Sequence, residues 1–182
     1  MRETTRSHRL PARYMAQLVD YLESTGVDRA DVLRAARIRS LDDPKAQLTL
    51  RQVEALLRAA ELASGRTDLG FELGRRLNPT SHDTLGFALL TCPTIGHVLR
   101  LMASYQRLIQ PAFALRVQRR GGRVELAYLP VVALQHRSMR MFQEAITASN
   151  HFAFQSMLHG DLPPYDVWLS IDRPPHAGRY EE

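Results

Sequence analysis

The chain has 182 residues, of which 45% are hydrophobic and 24% charged. That is enough for one domain with a sizeable core, and the composition excludes a disordered polymer. The formal net charge is +5, but the cations are not concentrated: 14 basic and 12 acidic residues run up to Thr91, then 10 and 7, whereas a nucleic-acid footprint gathers its charge on one face or arm.

The first residues, MRETTRSHRLPARY, have no apolar core of the kind a secretory signal needs. Residues 1–12 read as a flexible segment and 13–182 as a single domain. Next, PARYMAQLVDYLESTG places Tyr14, Leu18, Tyr21 and Leu22 at helical spacing, with Gly26 as a stop. Asp28 is an N-cap for VDRADVLRAARI. Thr49 with Gln52 forms a capping-box pattern ahead of a stripe of Val53, Leu56, Leu57, Ala60 and Ala63. TDLGFELGRRL is a short amphipathic helix on Leu69, Leu73 and Leu77.

TLGFALLTCPTIGHVLRLMASY is greasy enough to raise the question of a membrane span. Only 16 residues separate Asp83 from Arg100, and Pro93 interrupts them, while a spanning helix needs roughly 17–25 apolar residues. The stretch reads instead as two core helices meeting at a corner. Thr94 caps the second, whose inward positions are Val98, Leu101, Met102, Tyr105, Leu108 and Ile109.

At FALRVQRRGGRVELAYLP the period changes to two, around the turn Gly121-Gly122. If Arg120 faces Arg123, then Val117 faces Leu126 and Leu115 faces Tyr128. A long helix follows from His136, with Met139, Phe142, Ile146, Ser149 and Phe152 on one side and Gly160 beyond its end. YDVWLSID reads as a third strand. The expected fold class is α+β: a helical N-terminal half, then a small, mostly antiparallel sheet (strand–strand–helix–strand) packed on helices.

Catalytic signatures are missing. Cys92 is the single cysteine, so no internal disulfide exists and a reducing, cytoplasmic compartment is the simplest reading. His97 lies five residues on, turned away from Cys92 on a helix, and cannot serve it as a base. The seven histidines show no HExxH pair, and no nucleophile elbow, P-loop or dinucleotide fingerprint occurs. No metal and no cofactor are expected, and the chain is read as a non-enzyme. The basic tip RVQRRGG fits a solvated turn better than a DNA contact.

What remains is an apolar interior with a few polar handles, which fits ordinary core and equally fits a small-molecule pocket. The candidate ligand-lining residues are Tyr105, Phe113, Tyr128, Met139, Phe142, Ser149 and Trp168.

The run LGFALLTCPTIGHVLRLMASYQRLIQP resembles the effector-binding domain of AraC-type bacterial transcriptional regulators, in the arabinose-binding-like subgroup. The matching residues are Leu85, Gly86, Ala88, Leu89, Leu90, Pro93, Thr94, Gly96, Leu99 and Tyr105. Tyr21, Leu22, Gly26, Val27, Leu33, Ala36, Ile38, Leu41, Asp43, Pro44 and Gln52 fit the same frame, as do DPKAQLTLRQ and TDLGFELG. Cys92 stands where serine is more usual, and Asp83 where glycine is common. The resemblance implies a ligand sensor that controls DNA binding by a C-terminal helix-turn-helix domain absent from these 182 residues. The implied partner is a small organic effector, with an apolar or amphipathic acid held by an arginine or histidine as the expectation. A homodimer fits the same picture. A ligand-free dimerisation module, a small enzyme and a haem protein are the alternatives.

Overall fold

In the computed structural model, which describes residues 8–181, the chain begins with strand β1 (Arg9–Pro11). It pairs antiparallel with β2 (Gln47–Thr49), Leu10 opposite Leu48. The expected flexible segment therefore divides. Residues 1–7 lie outside the described residues, while Arg9–Pro11 are held in a ladder and Leu10 is buried.

The helices follow their caps. Helix α1 (Ala12–Ser24) buries Tyr14, Met15, Leu18, Val19 and Leu22. Helix α2 (Arg29–Ala35) starts where the Asp28 carboxylate accepts from the Ala30 and Asp31 amides. Helix α3 (Leu50–Ser64) opens on a reciprocal Thr49–Gln52 capping box and closes on Gly65 at φ 65°, a conformation that favours glycine. Each such cap is worth about 1 kcal/mol. Then come α4 (Leu69–Arg76), α5 (Thr84–Leu90) and α6 (Ile95–Ile109), the last capped by Thr94 accepting from the His97 amide.

Strands β3 (Phe113–Arg120) and β4 (Arg123–Pro130) form the hairpin in the register the sequence predicts, with Leu115 opposite Tyr128 and Val117 opposite Leu126. Gly121 and Gly122 both have positive φ, as a two-residue turn of this hand requires. Helix α7 (His136–Met157) is the long helix.

The third strand is not formed. Tyr165–Asp172 runs without ladder pairing, and Trp168 is 83% exposed. Pro163, Pro164, Pro174 and Pro175 bracket it and donate no backbone hydrogen bonds. The Gln143 side chain holds it at Ser170 instead: the Ser170 backbone N donates to Oε1 at 3.1 Å, and Nε2 donates to the Ser170 side-chain Oγ at 2.7 Å. The tail beyond it makes a 3-10 turn at Ala177–Glu181.

Two cores result. The larger joins α1 to α4, β1, β2, Phe113 and the first half of α7. The smaller joins α5, α6, the hairpin and the end of α7, with Phe154 and Met157 against Leu89, Val98 and Met102. Tyr128 packs on both, and α7 runs through both. Among the described residues, no helix is long and apolar enough to cross a membrane.

Close approach of backbones fixes the helices that link these cores. A Cβ on Gly74 would lie 2.6 Å from both Ala145 O and Ala148 Cβ of α7, and one on Gly70 would lie 2.6 Å from Met141 O. A Cβ on Gly86 would fall 1.7 Å from Pro79 O. Alanine normally favours a helix over glycine by up to about 1 kcal/mol. Overpacking against backbone costs about 1–3 kcal/mol or more, so it outweighs the gain. Gly74→Ala is expected to lower stability and Gly86→Ala to lower it further. Gly96→Ala, with nothing nearer than 3.7 Å, should be neutral or stabilising. Urea unfolding of the three variants checks the order; equal midpoints would refute the close-packing account.

Candidate functional site

A cavity of about 80 Å³ lies at the seam between the two cores. Helix α1 contributes Tyr14 and Met15, α4 Leu73, α5 Leu89, α6 Val98, Met102 and Gln106, β4 Tyr128, and α7 Phe142, Ile146, Ser149, Asn150 and Phe154. Its wall is mostly hydrocarbon, and among the described residues no Arg, Lys, Asp or Glu belongs to it.

The polar groups of the wall are paired in neutral couples. Tyr14 OH and His82 Nδ1 are 2.9 Å apart, with the rings edge-on. Burial, and then the neighbouring Arg13 guanidinium, lower the His82 pKa to about 4, so the ring is neutral at pH 7. Asn150 Nδ2 donates to Tyr128 OH at 2.8 Å. Burial pushes that phenol up to about 12 despite the Asn150 bond. Ser149 Oγ donates to the Leu77 carbonyl at 3.3 Å, and Gln110 Oε1 accepts from the Ala112 amide at 3.2 Å. Gln106 differs. It is 4% exposed and lines the cavity, yet among the described residues no side-chain hydrogen bond ties its amide down.

Of the residues expected to line a pocket, Tyr128, Phe142 and Ser149 border the cavity. Phe113 and Met139 belong to the larger core, where Phe113 meets Phe142 edge-on. Tyr105 is 48% exposed because the backbone leaves helical geometry there (φ −116°, ψ 16°) and re-aims the last turn of α6. Leu108 is exposed for the same reason. Trp168 lies in the unpaired segment, far from burial. Sequence reasoning missed Gln106, His82 and Asn150. A signal existed for Gln106: it continues the Val98–Met102 spacing of four, placing an amide on an apolar stripe.

The other histidines and Cys92 form no comparable site. Cys92 Sγ sits 3.3 Å from Ala88 O at the corner after α5. Among the described residues, no three His, Cys, Asp or Glu side chains gather to hold a metal ion.

The far side of α7 carries a second constellation. Glu144, 1% exposed, receives Tyr180 OH at 2.7 Å and stands 2.8 Å from His176 Nε2. Arg179 reaches Glu72 at 2.7 Å and also pairs with Asp68. Burial alone would raise the Asp68 pKa; hydrogen bonds from Arg66 and Arg179 outweigh it and bring the value to about 2. The C-terminal segment is thereby strapped across α4 and α7.

The mostly helical α+β domain thus carries a partly open cavity with a neutral, mostly apolar wall. Residues 26–182 match the family described as the arabinose-binding domain of AraC transcription regulator, N-term, and the chain belongs to that family. It is 30% identical over 177 residues to the ornithine utilization regulator of Pseudomonas aeruginosa. That alignment covers 95% of this chain and 51% of the relative, so the chain spans about half the relative's length.

His82 supplies a pH prediction. Its pKa is depressed on folding, from about 6.5 to about 4, so its contribution is full above the unfolded value and is lost as pH falls through the window between them. Between pH 7 and pH 5 the loss is about 2 kcal/mol. Urea unfolding of wild type and His82→Gln at the two pH values should show a smaller pH dependence in the variant by roughly that amount.

Proposed function

We propose that this domain is the cytoplasmic sensing half of a bacterial AraC-type regulator, binding a small organic effector in the seam cavity. Occupancy controls promoter binding by a helix-turn-helix region outside these 182 residues. The domain acts by binding, without catalysis. The position of the cavity carries the reading: it lies between two cores, against the one helix that crosses both.

At about 80 Å³ the cavity is smaller than a typical ligand pocket of about 300–1,000 Å³. An effector of ordinary size has to widen the seam. Widening moves α6 and the end of α7 relative to the larger core, and that displacement is the signal. The opposite side of α7 holds the C-terminal strap through Glu144, so the same helix senses and reports. An effector shifts the regulator only by its differential affinity for the two arrangements, and about 1–3 kcal/mol suffices for regulation.

Ala153→Met narrows the cavity from the α7 side. In the full-length regulator it should weaken effector response at least tenfold while leaving the melting temperature equal or higher. Effector titration against promoter DNA by fluorescence anisotropy reads the first, thermal unfolding the second. A normal response would place the effector elsewhere. The strap is tested by Tyr180→Phe, which removes a hydrogen bond to a buried carboxylate and should change the ligand-induced shift in promoter affinity.

Self-association is a second reading, favoured by Phe87, Leu90, Tyr105 and Leu108 on α5 and α6, which are 48–61% exposed. Leu108→Glu should then lower the dimer fraction in sedimentation velocity.

A further inference from the structure

The chemistry of the cavity wall narrows the effector class, and this step rests on reading the cavity as the effector site. We infer that the cavity takes an uncharged, mostly apolar molecule with a single carbonyl, amide or hydroxyl group, read by Gln106 and Tyr128. Amino acids and carboxylates are excluded by the same wall.

Three observations converge. First, no charged side chain among the described residues lines the cavity. An ionised ligand would leave water and find no counter-charge, which is costly in a low-dielectric site. Arg13, which stacks on the Tyr14 ring, is engaged with the Ser81 carbonyl at 2.9 Å and lies 3.9 Å from Asp83. Second, the titratable groups of the wall are neutral: His82 is held deprotonated by burial, and Tyr128 is held protonated by it. Third, Gln106 is 4% exposed as a residue, borders the cavity and has no side-chain hydrogen bond among the described residues. Its amide atoms keep slight access to solvent and offer a donor and an acceptor to whatever fills the space.

Tyr128 complements it. Its oxygen already accepts from Asn150, which leaves the hydroxyl proton free to donate. A ligand carbonyl can therefore take the phenol proton or the Gln106 NH₂, while an amide or hydroxyl proton on the ligand goes to Gln106 Oε1. The remaining contacts, to Val98, Met102, Phe142 and Ile146, recognise hydrocarbon. The relative's printed name concerns ornithine, whose ammonium groups and carboxylate have no partners in this wall. The effector of the present chain thus belongs to a different chemical class.

The test uses matched probes of rising length: propanamide, butanamide and hexanamide against propanoate, butanoate and hexanoate, with ornithine as a further arm. Binding to the full chain at pH 7.5 is followed by two-dimensional amide NMR. The amides are expected to bind at least tenfold more tightly than the matched carboxylates, perturbing signals of α6 and α7. Gln106→Leu should remain folded, since it adds an apolar group to an apolar wall, and should weaken amide binding about tenfold. Tyr128→Phe should weaken it by a smaller factor. Preferential binding of carboxylates or ornithine at these signals overturns the inferred class and leaves the sensing site standing. Amide binding untouched by Gln106→Leu overturns the role of Gln106. Binding of no probe at millimolar concentration overturns the effector-site reading together with this inference.

Discussion

The structure depends on two helices being closer than side chains normally allow. Helices α4 and α7 touch through Gly70 and Gly74, where even a methyl group would collide with the backbone or Cβ of Met141, Ala145 and Ala148. Helix–helix distance is set by the residues at the contact, and glycine gives the smallest one. That contact brings Leu73 and Phe142 to one side of the pair, where they wall the cavity. It brings Glu72 and Glu144 to the other, where the C-terminal segment is held. Larger residues at 70 and 74 would separate both constellations at once.

The polar chemistry on the two sides is opposite in kind. Toward the cavity every polar couple is neutral, and burial keeps it so. Toward the C-terminal segment, ion pairs converge: Asp68 and Glu72 share Arg66 and Arg179, and Glu72 also takes Arg76. Burial raises the Glu72 pKa, but hydrogen bonds from Arg179 and Arg76 more than reverse it. The arginines on this side are partly exposed, so salt screens the pairs in part. The cavity couples are insensitive to salt. One helix therefore separates a charged surface from a neutral, mostly apolar cavity wall.

Much of this was legible in the sequence where a local rule governs it. Asp28, Thr49 with Gln52, and Thr94 mark helix starts because a cap is a local hydrogen bond. The hairpin register follows from one turn and a period of two. The third strand failed because strand formation needs a partner edge, which residues 165–172 do not find; periodicity is silent about partners. Tyr105 failed because a kink inside α6 cannot be read from an uninterrupted apolar period. The motif glycines were legible as a family pattern, but their reason was not. Gly70, Gly74 and Gly86 mark tertiary approach, whereas Gly96 has open space around it. His82 and Tyr14 meet across 68 residues of chain, a separation over which no spacing rule operates.

A cavity at a seam responds to filling differently from one inside a single core. Within a close-packed core, adding atoms forces strain on every neighbour. Between two cores, the same atoms displace one body against another, and the strain is relieved by movement. Tyr128 and α7 belong to both bodies, so they feel the displacement first. Asn150 holds Tyr128 from α7 itself, which makes the hairpin follow the helix. The strap at Glu144 lies about a turn and a half from Asn150 along the same helix. A shift of α7 large enough to admit a ligand must alter the Glu144 contacts to His176 and Tyr180, or else drag the C-terminal segment with it. Either outcome couples the cavity side of α7 to the C-terminal segment over no more than two helical turns.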